Sequence, residues 1–359
     1  MEILDKKEIY SKENKLNITA CILSHNDENL IENCINSIKD FVREIIIIDI
    51  GSTDSTLKIA QKYTNKINKY KWNYDYSEVK NQFFKYSTSE WLLFLNAYEN
   101  LSDESKSLFN SNFLNPKTIA YIGKDIQMFQ DREIELLSCR LMQRTSEIKF
   151  KGPVFESVND DIQRISKTKG MKIEFVNLFV NVNFYLKYSD DNDMYKESLE
   201  ILKIALNKKL LDRNQRLAYM IYQAICLKYV GDTKDAEDLM FVCLDEIRRY
   251  NKKDVYNIPL FMQPFLFLGA KYSKENKYKE ALAIVKEGLD FYPNSLTILT
   301  RYCEVLYANR MYNEVLETYD KIIKLQRSDS YYVLEGLNFN MINKISQEFA
   351  KLAMNKLSY

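Results

Sequence analysis

The sequence predicts an α/β domain with a parallel sheet over residues 1–190, followed by an all-α domain over residues 191–359. Three observations lead to this fold class. Apolar strand-like runs alternate with helix-like segments in the first half. The run that ends at Asp49 has almost no polar alternation, which is typical of a strand covered on both faces. Beyond about residue 190 only helical periodicity recurs.

Composition and charge narrow the range of partners. The 359 residues suffice for two domains, each with its own core. The 51 basic and 50 acidic residues nearly cancel. No global field therefore favours nucleic acid or an anionic membrane surface.

The cysteines and the amino-terminal segment bear on metal binding and on location. The six cysteines form no CxxC pair and His25 is the single histidine, so a zinc site is not expected. Scattered cysteines in apolar surroundings are typical of core residues in a reducing compartment. The charged start lacks a signal-peptide core, and no run of about 18 apolar residues predicts a membrane span. We expect a cytoplasmic protein.

The first four elements alternate between strand and helix. Residues 1–16 predict a loose or helical lead-in. Ile18–Ser24 and Glu44–Ile50 predict buried strands, and Thr56–Tyr63 predicts a helix. The helix between the strands is predicted from apolar residues at helical spacing: Leu30, Ile31, Cys34, Ile35 and Ile38. Short connections in this order predict a parallel sheet.

Four further apolar runs predict the remaining strands of this domain. They are Trp91–Leu95, Ile119–Ile126, Leu137–Gln143 and Val176–Tyr185, and the last closes the domain.

The second half carries an internal repeat. One copy is formed by Phe265, Leu268, Gly269, Tyr272, Tyr278, Ala281, Val285, Gly288, Leu289 and Pro293, and fits the tetratricopeptide pattern. The next copy, one repeat length of about 34 residues later, places Tyr312, Val315 and Ile323 at matching positions. A weaker upstream copy contains Tyr229, Gly231, Ala236, Met240 and Leu244, which implies an insertion around residues 250–259. The alternative is generic helical hairpins without a superhelix, and a short repeat can also serve as a dimer surface or a cap.

The end of the strand at Asp49 is a candidate ligand site. In open parallel sheets, ligands bind beyond the carboxyl ends of the strands. Asp49 could accept a hydrogen bond from a nucleobase there, and Gly51 and Ser52 would let the backbone approach. A structural role for Asp49 stays open, since an Asp at the end of an apolar strand needs a partner. Asp54 is interpreted as a helix cap.

Several ordered blocks of the first half resemble one enzyme family. They are Ala20–Glu28, Cys34–Ile38, Glu44–Thr56, Lys71–Trp72, Asp75–Ser77, Lys80–Asn81 and Thr88–Leu95. Together they resemble glycosyltransferase family 2, the inverting GT-A type. With its helical second half, the chain is similar to the peptide S-glycosyltransferases of bacteriocin gene clusters. The resemblance implies a GT-A (Rossmann-like) nucleotide-sugar domain followed by a tetratricopeptide-like domain.

The resemblance also implies a donor site. Its nucleotide-sugar-binding residues would be Ser24, His25, Asn26, Asp49, Ser52, Asp75, Lys80, Asn96 and Arg140. The first three would line the nucleotide pocket, although a surface or core role for His25 is an equal alternative. Lys80 stands where family members often carry Arg, and Arg140 would meet phosphate unless it is a surface charge.

The sequence departs from the family at the metal site and at the acceptor site. Asn96-Ala97-Tyr98-Glu99 replaces D-A-D-E, so a divalent Mg or Mn ion would have to rely on Glu99 and Asn96. Phe155 replaces the histidine of G-x-V-H-E, whereas the carboxylate remains as Glu156, the candidate catalytic base. Gln143 replaces the second arginine after Arg140.

Three hypotheses follow. The first is an inverting glycosyltransferase that moves a sugar from a UDP-hexose or UDP-N-acetylhexosamine to a peptide or protein side chain. The helical repeat would hold the acceptor in its groove and could also form a homodimer. The second is a catalytically weakened scaffold or chaperone that binds a peptide or a partner enzyme. The third is a helical-repeat adaptor whose first domain is only structural.

Overall fold

A computed structural model describes residues 15–109, 113–129, 132–188, 191–208, 210–255, 258–326 and 339–358. The contacts divide the chain into two compact units, between Asp193 and Met194. The predicted domain limits, 1–190 and 191–359, stay a prediction. Residues 1–14 of the predicted lead-in lie outside the described residues.

The first unit alternates strands and helices. Its strands are β1 (Leu16–Ser24), β2 (Val42–Asp49), β3 (Ile67–Lys69), β4 (Trp91–Asn96), β5 (Glu99–Leu101), β6 (Thr118–Phe129), β7 (Arg132–Gln143) and β8 (Lys172–Val182). Its helices are α1 (Ile31–Ile38), α2 (Thr56–Ala60), α3 (Tyr76–Tyr86), α4 (Asp103–Lys106), α5 (Asn159–Lys169) and α6 (Phe184–Lys187). The described strands form one sheet in the order β3-β2-β1-β4-β7-β6-β8-β5.

The sheet is mixed, and its longest parallel run contains four strands. Strands β3, β2, β1 and β4 pair in parallel, as the strand–helix order predicts. Strand β7 is antiparallel to both β4 and β6, and β5 is antiparallel to β8, whereas β6 and β8 pair in parallel, so the predicted parallel arrangement does not extend over the whole sheet. The link from Phe129 to Arg132 is far too short for the crossover that a parallel pair requires.

The apolar run of β2 is buried from both sides. Ile47 packs into the same apolar cluster as Ile35 of α1. Its neighbours Ile46 and Ile48 belong to a second cluster, which contains Phe83 of α3. Helices therefore cover both faces of the sheet, which explains why this strand lacks polar alternation.

Strands β6 and β8 approach closely at Gly123. A Cβ atom at Gly123 would lie 2.5 Å from the backbone oxygen of Leu178. The pairing of the two strands changes register here, between Ile122 and Lys124. Only a residue without a side chain fits this contact.

We expect Gly123→Ala to lower the free energy of unfolding of the first unit by about 1–3 kcal/mol, because the backbone must move apart. Urea unfolding followed by tryptophan fluorescence measures this unit, since Trp72 and Trp91 both lie in it. Asn177→Ala, an exposed position beside Leu178, is the control and should change stability by less than about 0.5 kcal/mol. Equal stability of the two variants would contradict the steric argument.

The second unit is built from helices throughout its described part. They are α7 (Asp191–Leu206, which begins in the first unit), α8 (Arg213–Tyr229), α9 (Thr233–Ile247), α10 (Lys252–Val255), α11 (Gln263–Lys274), α12 (Tyr278–Phe291), α13 (Leu296–Ala308), α14 (Tyr312–Gln326) and α15 (Phe339–Leu357). In the described part of the chain, no helix is apolar and long enough to cross a bilayer.

The helices of the second unit form tetratricopeptide-like pairs. Helices α12 and α14 begin 34 residues apart, at Tyr278 and Tyr312. Helix α11 packs so closely on α12 that a Cβ atom at Gly269 would lie 2.6 Å from Val285 Cγ2. Helix α10 and the 3₁₀ turn Pro259–Met262 separate α9 from α11, where the sequence predicts an insertion.

Candidate active site

The carboxyl ends of three neighbouring strands define the candidate site. Strand β1 ends at Ser24, directly beside the end of β2 at Asp49. On its other side, Leu23 of β1 pairs with Asn96 at the end of β4. The topology therefore brings together three residues that the sequence predicts for the donor site.

Asp49 organises the turn that follows its strand. The residue is 1% exposed, and its Oδ2 accepts hydrogen bonds from the backbone N–H groups of Gly51 and Ser52, both at 3.0 Å. The Ser52 hydroxyl donates to Oδ1. Gly51 has a φ of +117°, which favours glycine. The turn is thus the partner that a buried Asp49 requires, and its role in base binding stays a prediction.

Hydrogen bonds connect the loop after β1 to this turn. Asn26, with a left-handed φ of +53°, donates its backbone N–H to Ser52 Oγ at 2.8 Å. Its side-chain oxygen accepts from the backbone N–H of Thr53, also at 2.8 Å. His25 is exposed at the tip of the loop. The two loops therefore form one rigid rim with His25 on its outside.

Ser24 is the unusual polar group of this rim. Its side chain is 1% exposed, and its hydroxyl has no hydrogen-bond partner among the described residues. A buried hydroxyl without a partner is costly, and a bound ligand can supply the missing bond.

Lys187 is a rim residue without a recognisable signal in the sequence. Its ammonium group lies 2.8 Å from Oδ1 of Asp27, which is 3% exposed, and also contacts the carbonyl of His25. Lys187 therefore fixes the outer side of the loop from a position far along the chain.

Helix α3 carries two of the predicted residues. Asp75 caps the helix, because its Oδ1 accepts from the backbone N–H of Glu78 at 3.2 Å and from the Ser77 hydroxyl at 2.6 Å. Lys80 lies in the middle of the helix and forms an ion pair with Glu156. The two side chains are only 11% and 12% exposed. The predicted donor-site cation and the predicted base are therefore direct partners.

The segment before Glu156 is clamped onto α3. The side-chain amide of Asn81 donates to the carbonyl of Phe150 at 3.0 Å and accepts from its N–H at 2.9 Å. The backbone N–H of Tyr76 donates to the carbonyl of Pro153 at 2.9 Å. These bonds fix the position of the segment relative to Lys80.

The loop around Glu156 closes on itself. Lys151 and Ser157 exchange two backbone hydrogen bonds, at 3.0 and 3.1 Å. Within the loop Phe155 has a φ of +51°, a left-handed conformation that costs a non-glycine residue about 1–2 kcal/mol. Strain of this kind is often found beside functional residues. The loop presents Glu156 in a defined place.

A further cluster of predicted site residues surrounds Glu99. Its carboxylate accepts from the backbone N–H of Asn96 at 2.7 Å and from the Asn96 side chain at 3.1 Å. Arg140 binds both oxygens of Glu99, at 2.9 and 3.2 Å, and also binds Asp125 at 2.7 Å. Although burial alone would lower the pKa of Arg140, Glu99 and Asp125 raise it. The guanidinium group is therefore a permanent cation.

A β-bulge places Arg140 in this network. Tyr121 of β6 pairs with Leu141 and the next residue, Ile122, pairs with Cys139, so Arg140 is the extra residue. Bulges redirect side chains in this way. The structure shows Arg140 bound to two carboxylates, and its predicted contact with phosphate stays a prediction. Asp125, which the sequence analysis missed, is one of them.

The residues around Asn96 do not fit a divalent cation. Both oxygens of Glu99 are occupied by Arg140, and the side-chain amide of Asn96 is used as a donor. Burial, followed by the charge of Glu99, raises the pKa of Tyr98 well above its usual range, so this phenol is neutral. No group of three or more His, Cys, Asp or Glu side chains within the described ranges could hold a metal. The predicted metal ligands Glu99 and Asn96 are committed to other partners.

Comparison with known proteins identifies the first unit. Residues 19–123 match the model of the family described as "Glycosyl transferase family 2". The chain contains a glycosyltransferase family 2 domain. The matched range includes the two loops of the rim, Asp75, Lys80 and Asn96, whereas Arg140, Glu156 and Lys187 lie beyond it.

Two curated relatives extend this finding. The chain is 30% identical over 147 residues to a TPR repeat-containing protein of Synechococcus elongatus, covering 40% of this chain and 36% of the relative. It is 38% identical over 99 residues to the glycosyltransferase SunS of Bacillus subtilis, covering 27% of this chain and 24% of SunS. These matches confirm the likeness to glycosyltransferase family 2 with a tetratricopeptide-like second half that the sequence predicts. The chain thus spans about a third and a quarter of these relatives.

The chain is less similar to solved structures. S. aureus TarS 1–349 in complex with UDP aligns over 89% of this chain and 99% of its own, with a TM-score of 0.38 and 14% identity. The mannosyltransferase PcManGT of Pyrobaculum calidifontis, in complex with GDP-Man and Mn²⁺, covers 71% of this chain and 88% of its own, with a TM-score of 0.38 and 11% identity.

Proposed function

We propose that the chain is an inverting glycosyltransferase that transfers a sugar from a UDP-hexose or UDP-N-acetylhexosamine to a peptide or protein side chain. One observation carries the proposal: within a unit that contains a glycosyltransferase family 2 domain, a nearly buried lysine and a carboxylate from distant segments meet as a pair. The relative SunS is named a glycosyltransferase, which supports the activity.

The proposed step uses two side chains. Glu156 accepts the proton from the acceptor hydroxyl or thiol as that oxygen or sulfur bonds to the anomeric carbon. The bond from this carbon to the diphosphate oxygen breaks, and its electron pair leaves with the nucleoside diphosphate. Lys80 stabilises the charge on this leaving group. Attack from the face opposite the leaving group inverts the anomeric configuration.

Calorimetry with UDP-glucose and UDP-N-acetylglucosamine tests the donor site, and a sugar-transfer assay with cysteine- and serine-containing peptides tests the reaction. Binding followed by transfer supports the proposal. A protein that binds no nucleotide would contradict it.

We expect UDP to bind with the same affinity, within about threefold, in EDTA and in manganese, because Glu99, the carboxylate beside Asn96, is already bound by Arg140. Calorimetry in the two buffers measures this. The Asn96→Asp, Tyr98→Asp double variant places two carboxylates beside the site, and its affinity for UDP should rise in manganese. A loss of more than about tenfold in EDTA for the unaltered protein would show that a metal binds through other groups.

A scaffold or chaperone is the second candidate. It is favoured by the departures at Asn96, Tyr98 and Phe155, whereas the departure at Gln143 lies beside Trp91, at the opposite end of β4 from Asn96. Sugar transfer by the purified protein, abolished by Glu156→Gln, would rule it out. An acceptor in the helical groove and a homodimer are parts of the proposal that peptide titration and light scattering test separately.

A further inference from the structure

Lys80 and Glu156 are committed to each other. Their ion pair is nearly buried, and the Lys80 ammonium also lies 5.5 Å from the centre of the Phe150 ring. A carboxylate bound to a cation is a poor proton acceptor, because removal of its charge would leave the cation without a partner. In the observed arrangement, therefore, Lys80 occupies the carboxylate of Glu156.

We propose that the donor diphosphate and Glu156 bind Lys80 in alternation, so that donor binding releases Glu156 to act as the base. The inference rests on the proposed function. The ion pair would set the order of the two events: Glu156 accepts the acceptor proton only after the donor diphosphate has bound Lys80.

The charges favour such an exchange. A diphosphate that approaches Lys80 also approaches Glu156, and the two anions repel each other strongly where water is largely excluded. The repulsion decreases when Lys80 turns from the carboxylate to the phosphates. The Glu156 carboxylate, left without its cation, is then free to contact the acceptor.

The two partners differ in their freedom to move. Lys80 extends from α3 on a flexible four-carbon chain, whereas Glu156 sits in a loop closed by Lys151 and Ser157. The clamp from Asn81 to Phe150 joins this loop to the helix. A swing of the Lys80 side chain can therefore break the pair while both backbones stay in place.

Calorimetric titration with UDP tests the competition. We expect Glu156→Gln and Glu156→Ala to bind UDP about tenfold more tightly than the unaltered protein, because Lys80 is then free for the diphosphate. Lys80→Met should bind about tenfold more weakly or worse. In the double variant Lys80→Met, Glu156→Gln the tightening should disappear.

Matched controls come from the same elements. Glu147→Gln also removes a paired carboxylate, from Lys169 and Arg164, and should leave UDP affinity unchanged. Lys85→Met removes an exposed cation of α3 and should do the same. Melting curves confirm that each variant is folded.

The outcomes separate the two proposals. If the unaltered protein binds no nucleoside diphosphate, both the proposed function and the exchange are wrong. If it binds UDP but neither Glu156 variant binds more tightly, only the exchange is wrong, and Lys80 merely positions Glu156. Tightening that persists in the double variant also overturns the exchange, since Lys80 would not be its cause.

Discussion

Glu156→Gln is expected to lower kcat for sugar transfer by about 10²- to 10⁴-fold, the usual contribution of a positioned general base. The amide keeps the shape of the side chain but cannot accept the acceptor proton. Because the same change frees Lys80, the KM for the donor should fall while kcat falls. Initial-rate kinetics with varied donor and a fixed peptide acceptor measure both constants.

The acceptor atom decides the size of this effect. A thiol has an ordinary pKa of about 8.5 and needs less help than a hydroxyl. The loss should therefore be smaller with a cysteine acceptor than with a serine acceptor, and smaller at high pH than at neutral pH. Glu147→Gln is the control and should retain the kcat of the unaltered protein. If Glu156→Gln keeps more than about a tenth of kcat with a serine acceptor, Glu156 is not the base.

Arg140→Met is expected to destabilise the first unit by about 3–5 kcal/mol, because it leaves two buried carboxylates without their cation. The side chains of Glu99 and Asp125 are only 2% and 10% exposed, and Arg140 binds both. Methionine has a similar length, so the loss measures charge more than volume. Urea unfolding detected by the fluorescence of Trp72 and Trp91 reports on this unit.

An exposed arginine is the control for this prediction. Arg164 pairs with Glu147 and Asp161 but is 48% exposed, so Arg164→Met should cost less than about 1 kcal/mol. Adding Glu99→Gln and Asp125→Asn to Arg140→Met removes the unpaired charges and should recover part of the stability. Equal effects of Arg140→Met and Arg164→Met would show that the buried network contributes little.

Local pattern was enough for the buried elements of the first unit. The unbroken apolar run before Asp49 could only be a strand covered on both faces, and the helical spacing from Ile31 to Ile38 could only bury one stripe. The repeat was recognised because Tyr278, Ala281 and Leu289 have counterparts 34 residues later, at Tyr312, Val315 and Ile323. These signals depend on neighbours within one turn, one strand or one repeat.

The local sequence pattern did not predict helices that consist mostly of polar residues. Helix α3 was missed because Val79 and Phe83 are its only two buried apolar residues, although Asp75 marks its start. Helix α5, with Ile162 and Ile165, was missed for the same reason. Such helices form because the sheet buries one narrow stripe, and this packing is not visible in their own sequence.

The sequence by itself determined the class of fold, the strand end at Asp49 and the residue types available for the donor site. Only the tertiary structure decided which of them are partners: Lys80 with Glu156, and Glu99 with Arg140 and Asp125. These pairs join segments that are far apart in the chain. A β-bulge places Arg140, and a closed loop places Glu156. Charge pairing acts across space, so only folding determines which carboxylate neutralises each cation.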